Sequence, residues 1–152
     1  MNTSFNKLVA AAALAALLLP AIASAQSSAA TSTALTATER VAQTVTAQAT
    51  HVQKAADLMA ALSLKLSLRL ASSTANPTDI AEANTALADL NAQIADARLQ
   101  ATAAFGHVAS ATAADSTKAN TNAELKIARA DIVVARQDFA AARKDINKIL
   151  QV

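Results

Sequence analysis

Leu62 to Leu70 reads LSLKLSLRL, and how those nine residues fold decides the class of the whole chain. Strict apolar/polar alternation is the period of a half-buried strand. Against a strand, none of the nine is β-branched, and Leu, Lys and Arg all favour helix. The upstream seam also runs on through the stretch. Val41, Val45, Val52, Ala55, Met59, Leu62 and Leu66 follow one another at helical spacing, with Gln48 as the one polar lapse. Leu70 extends the same line, so the reading is helix. Its consequence is that Leu64 and Leu68 fall on the opposite face, unburied in a monomer, as a candidate contact patch.

Composition supports an all-α protein. Alanine fills 44 of the 152 positions, with one glycine, two prolines, no cysteine, no tryptophan and no tyrosine. Sandwiches and barrels need turn glycines and strand-forming side chains. Phosphate loops need several glycines, and zinc ribbons or disulfide scaffolds need cysteines. Alanine at this abundance is a helix former with little side-chain entropy to lose.

Residues 1–25 read as a cleaved signal peptide. Lys7 supplies a positive charge, Leu8 to Leu19 is an unbroken apolar run, and Pro20 ends it. Ala23-Ser24-Ala25 then has the small-x-small pattern of a cleavage site. Twelve apolar residues fall short of the roughly 20 that span about 30 Å of hydrocarbon. Export to the periplasm or the extracellular space is therefore expected, and the missing cysteines suit an oxidising compartment. Residues 26–35 read as a flexible leader rich in Ser, Thr and Ala.

The domain proper is expected over 36–152, as an elongated, coiled-coil-like, up-down-up bundle of three helices at about 36–71, 77–109 and 121–150. Thr36 and Glu39 form a capping box that opens the first helix. Asn76 or Thr78 caps the second, with Pro77 in its first turn. Its seam is Ile80, Ala83, Leu87, Leu90, Ile94, Ala97, Ala101, Ala104 and Val108, and it is expected to end around Gly106 to Ser110. Thr121 and Glu124 have capping-box spacing and are expected to open the third helix. The seam there is Leu125, Ala128, Ile132, Ala135, Phe139, Ala142, Ile146 and Ile149.

The third helix carries an internal repeat. ELKIARA, DIVVARQ and DFAAARK share an acid, a large apolar residue, an alanine and an arginine at fixed offsets. In heptad terms Glu124, Asp131, Asp138 and Asp145 fill position g, and Arg129, Arg136 and Arg143 fill position e. On the first helix the flanks are Ala42, Ala49, Ala56 and Ser63 at e, with Thr44, His51, Leu58 and Lys65 at g. The second offers Asn84, Asn91, Arg98 and Phe105 at e, with Asp79, Ala86, Gln93, Gln100 and His107 at g. Neither set supplies opposite charges for the two rows. Two parallel copies of the 121–150 helix would, pairing Glu124 with Arg129, Asp131 with Arg136 and Asp138 with Arg143. The expected reading is that the two rows solvate the flanks of a monomer, with parallel self-association through the 121–150 helix as the alternative.

No constellation for catalysis, a cofactor or a metal is expected. His51 and His107 lack a second ligand one helical turn away. Glu82, Asp89 and Asp96 recur every seven residues, too far apart to share a proton. Formal charge is only +2 and aromatics are scarce, which argues against nucleic acid. Mixed charge and few aromatics likewise argue against a lipid-surface helix.

The layout of signal, leader and Ala-rich helices resembles that of small exported Ala-rich helical bacterial proteins of unassigned function. Leu35-Thr36-Ala37-Thr38-Glu39 also resembles the Leu-Thr-x-x-Gln signature of periplasmic helical stress chaperones. It occurs once, with Glu39 where that family has Gln. The expected function is non-catalytic, through protein–protein contacts in the cell envelope as an interaction module or structural spacer. The alternative is a holdase-type chaperone presenting faces such as Leu64 and Leu68.

Overall fold

The structure, a computed structural model, describes residues 35–152. The expected signal peptide and all of the leader but Leu35 lie outside the described residues. Among the described residues the secondary structure is all helical: α1 (Ala37–Ala71), α2 (Pro77–Ala111) and α3 (Lys118–Ile149). At 1.5 Å per residue, helices of 35, 35 and 32 residues run about 50 Å each.

Cross-helix bonds fix the sense of packing. Ser63 donates to Asn91 at 2.7 Å, and Arg98 reaches Asp57 at 2.7 Å, so α1 and α2 run in opposite directions. His107 meets Glu124, and Gln93 meets Asp145, so α2 and α3 do too. Ala42, Ala111 and Leu125 cluster at one end of the bundle. Leu66, Leu70, Ile149 and Val152 gather at the other, around a cavity of about 10 Å³ that has room for about one water. The α2–α3 interface is the most extensive of the three, and α1–α3 the least.

Residues 62–70 are helical, inside α1. Backbone hydrogen bonding and continuity with the preceding six turns outweigh the local alternation. Thr36 and Glu39 make the expected capping box, with the Thr36 amide donating to Glu39 at 2.7 Å and the Glu39 amide to Thr36 Oγ1 at 3.2 Å. Asn76 caps α2 by accepting from the Thr78 amide at 3.0 Å.

Three expectations need correction. First, α1 is turned relative to its expected seam. Val45, Val52, Met59 and Leu66 are buried, but Val41, Ala55 and Leu62 are only half-buried. Their places are taken by Ala42, Ala49, Ala56 and Ser63. Alanine lets α1 approach α2 closely, so the tightest line of contact selects small side chains over large ones.

Second, α2 does not stop within the expected Gly106–Ser110 stretch but passes Gly106 unbroken and ends one residue beyond that stretch, at Ala111. One glycine costs a helix only about 1 kcal/mol. Burial of Ala104 and Ala111, with Val108 against the Ala42–Leu125 cluster, offsets it.

Third, α3 starts at Lys118, capped by Thr117, whose side chain accepts from the Asn120 amide at 3.3 Å. Thr121 is not a cap. It is buried inside the first turn, where its hydroxyl donates to the Ala111 carbonyl at 3.1 Å and lies 3.0 Å from Ser116 Oγ. A hydroxyl that ties the end of α2 to the start of α3 shares its spacing to Glu124 with a capping box, and the sequence does not separate the two.

Candidate functional site: the flanks of the third helix

Heptad spacing on α3 separates three stripes. The seam of Leu125, Ala128, Ile132, Ala135, Phe139, Ala142, Ile146 and Ile149 is buried throughout. One residue before Leu125, Ile132, Phe139 and Ile146 stands an acid, and four after the first three of them stands an arginine. The seam faces the other two helices, so the two charge rows are forced onto opposite flanks.

The acid row faces α2. His107 Nδ1 lies 2.6 Å from Glu124 Oε2, and its Nε2 lies 3.7 Å from Asp131 Oδ2. Gln93 Nε2 donates to Asp145 Oδ2 at 2.8 Å, and Lys148 Nζ donates to Asp145 Oδ1 at 2.9 Å. The flank of α2 thus supplies polar partners to Glu124 and Asp145, although, as expected, it offers no row of opposite charges. In an antiparallel pair the g row of one helix meets the g row of the other, and amide and imidazole N–H groups can donate to a carboxylate without carrying the opposite charge.

Asp145 is buried, at 4% exposure, and desolvation pushes its carboxyl upward. The hydrogen bonds from Lys148 and Gln93, with the charges of Lys148 and Lys144, outweigh that and hold it below its ordinary value. The Asp145 hydrogen bond and charge in turn raise Lys148. Asp138 lacks such donors. Burial pushes its carboxyl up, the negative charge of Asp96 pushes it further, and its Oδ2 is buried without a hydrogen-bond partner. Gln93 Oε1 and Asp131 Oδ2 share that condition.

The opposite row, Arg129, Arg136 and Arg143, lies on the flank towards α1. Arg129 and Arg136 are exposed and Arg143 is half-buried. Thus the structure does not bring the acids and arginines of α3 together within the chain. A second copy of α3 could reach the seam between them only by displacing α1 and α2, which the alternative parallel coiled coil would require.

Leu64 and Leu68 are 63% and 64% exposed on the outer face of α1, one turn apart. Leu99 on α2, at 66%, and Val133 on α3, at 52%, are exposed as well. No group of three or more metal-ligating side chains occurs among the described residues. Nor is any helix among them long and apolar enough to cross a membrane.

Sequence reasoning missed Gln93, Thr121 and Asp145 as partners across the bundle. Nothing in the repeat sets Asp145 apart, since Glu124, Asp131 and Asp138 also stand one residue before a large seam residue. No family model, curated protein or solved structure matches this chain, so its function is read from its own residues.

Proposed function

We propose that this chain is a non-catalytic, exported helical protein that works through protein–protein contacts in the cell envelope. The observation that carries the reading is the outward display of Leu64 and Leu68 on α1, while Leu66 and Leu70 of the same stretch are buried and Leu62 is half-buried. Contiguous apolar side chains on an outer helix face support partner contact, because each exposed leucine leaves roughly 1.5–3 kcal/mol of burial to be gained. The extended up-down-up architecture supports the spacer role, since helices of about 50 Å separate the two ends of the bundle. Export is supported by Leu8 to Leu19, Pro20 and Ala23-Ser24-Ala25 in the sequence.

A second reading, a holdase-type chaperone, is favoured by the number of large apolar side chains on outer faces, Leu58 and Leu99 among them. Hydrophobic-dye binding by the native protein and suppression of aggregation of a test client separate the two. A module or spacer does neither; a holdase does both, and loses both on Leu64→Gln with Leu68→Gln. Export is tested by intact mass of secreted material, which begins at Gln26 if the cleavage site is read correctly.

A further inference from the structure

The arginine row of α3 borders an apolar outer face. Val133, 52% exposed, lies one turn from both Arg129 and Arg136; Ile127 and Val134, 43% and 39% exposed, lie further round the same outer face, towards the acid row, and Arg129 and Arg136 make no ion pair among the described residues. On α2 the outer face is of the complementary kind. Leu99 stands in a line of exposed alanines, and Glu82, Asp89 and Asp96 run along its border, all exposed. Both charge rows repeat every seven residues, which spaces their members about 10.5 Å apart. The signs are opposite, the pitch is equal, and large side chains on one face stand against small ones on the other.

We propose that the outer face of α3 docks on the outer face of α2 of a second copy of this chain, with Arg129 and Arg136 against the Glu82–Asp89–Asp96 row. The inference rests on the reading of the chain as a protein-contact module and names its partner.

Geometry fixes the orientation. The arginines lie on the flank of α3 towards α1, and the acids on the flank of α2 towards α3. The two rows fall on the same side of the contact when α3 and the partner's α2 run parallel, and on opposite sides when they run antiparallel. Since α2 and α3 are antiparallel within one copy, successive copies alternate in direction. The contact is heterologous, because two different faces meet. It leaves an unused α2 face on one copy and an unused α3 face on the next, so assembly grows into chains instead of closing as a dimer. Exposed ion pairs are individually weak and are screened by salt, so assembly is reversible and salt-sensitive.

Sedimentation of the purified chain at about 100 µM, in about 20 mM and then about 500 mM salt, tests the proposal. The expected result is species larger than a dimer at low salt that revert to monomer at high salt. Arg129→Gln with Arg136→Gln is expected to give a monomer, and so is Glu82→Gln with Asp89→Asn and Asp96→Asn. Mixed, the two variants retain one intact face each and form a 1:1 complex that grows no further. All five positions are exposed, and circular dichroism checks that helicity is kept; if a variant loses it, the wild-type salt series decides alone. A monomeric wild type at low salt, a closed dimer, or assembly that survives either neutralisation overturns the proposal. Client and dye assays are independent of this result, so the docking mode can fail while the protein-contact reading stands.

Discussion

Gln93 Nε2 donates to Asp145 Oδ2 at 2.8 Å across the α2–α3 interface, 52 residues apart in sequence. The bond serves a carboxylate buried to 4% exposure, whose other oxygen is held by Lys148 one turn along the same helix. Gln93→Ala removes the cross-helix donor and leaves a buried oxygen unserved. It is expected to cost about 1.5 kcal/mol, read as a lower urea midpoint with an unchanged slope.

Asp145 also sets part of the acid sensitivity. Its folded-state value lies below the ordinary 3.8, so its ionised form favours the fold. That contribution is complete above the unfolded value and is lost as pH falls through the lower folded one. Stability is expected to drop below about pH 4 in the wild type, and less steeply in Asp145→Asn. Thermal melts between pH 2 and 7 check it.

Asp138 has the opposite sign. Its carboxyl is raised by burial and by Asp96, so ionisation disfavours the fold, and the cost is present above the folded value. Asp138→Asn is expected to stabilise the protein at pH 7 by about 0.5 kcal/mol, by easing the burial of a charge and removing the repulsion from Asp96 across the α2–α3 interface. The gain vanishes once pH falls below the unfolded value. Paired melts at pH 7 and pH 3 measure it.

The start of α3 distinguishes a cap from a tie. Thr117→Ala removes the side chain that accepts from the Asn120 amide, and should cost about 1 kcal/mol with fraying of the first turn. Thr121→Val keeps the shape but leaves the Ala111 carbonyl without its buried donor, at a cost of about 1–3 kcal/mol. Amide hydrogen exchange separates them: the first exposes the beginning of α3 alone, the second loosens the end of α2 as well.

Gly106 sits inside α2, and a Cβ built there meets nothing within 4 Å. Gly106→Ala is expected to stabilise the fold by about 0.4–1 kcal/mol, through a less flexible unfolded chain and better helix propensity. A higher melting temperature with unchanged native helicity confirms it.

Much of the fold was legible in the residues. The α3 seam was read in full, because large apolar residues there alternate with alanines at unbroken heptad spacing. The Thr36–Glu39 box was legible because both of its bonds lie within four residues. On α1 the Val45, Val52, Met59 and Leu66 line was legible, but the Val41, Ala55 and Leu62 line was read one position off, since in an alanine-rich helix the contact line is drawn by what the neighbour needs. The small size of Ala42, Ala49 and Ala56 does not announce burial.

The sequence by itself determined helix, the number of helices and the buried face of α3, because each follows from periodicity and propensity along one segment. Only the tertiary structure decided the partners of the flanks. It set His107 beside Glu124, Gln93 beside Asp145 and Thr121 beneath Ala111, and left Arg129 and Arg136 facing outward. Those pairings depend on the register and rotation of antiparallel helices. Register is fixed by the packing of buried alanines together with large side chains such as Leu90, Ile132 and Ile146, a sum of many weak contacts that no single segment encodes.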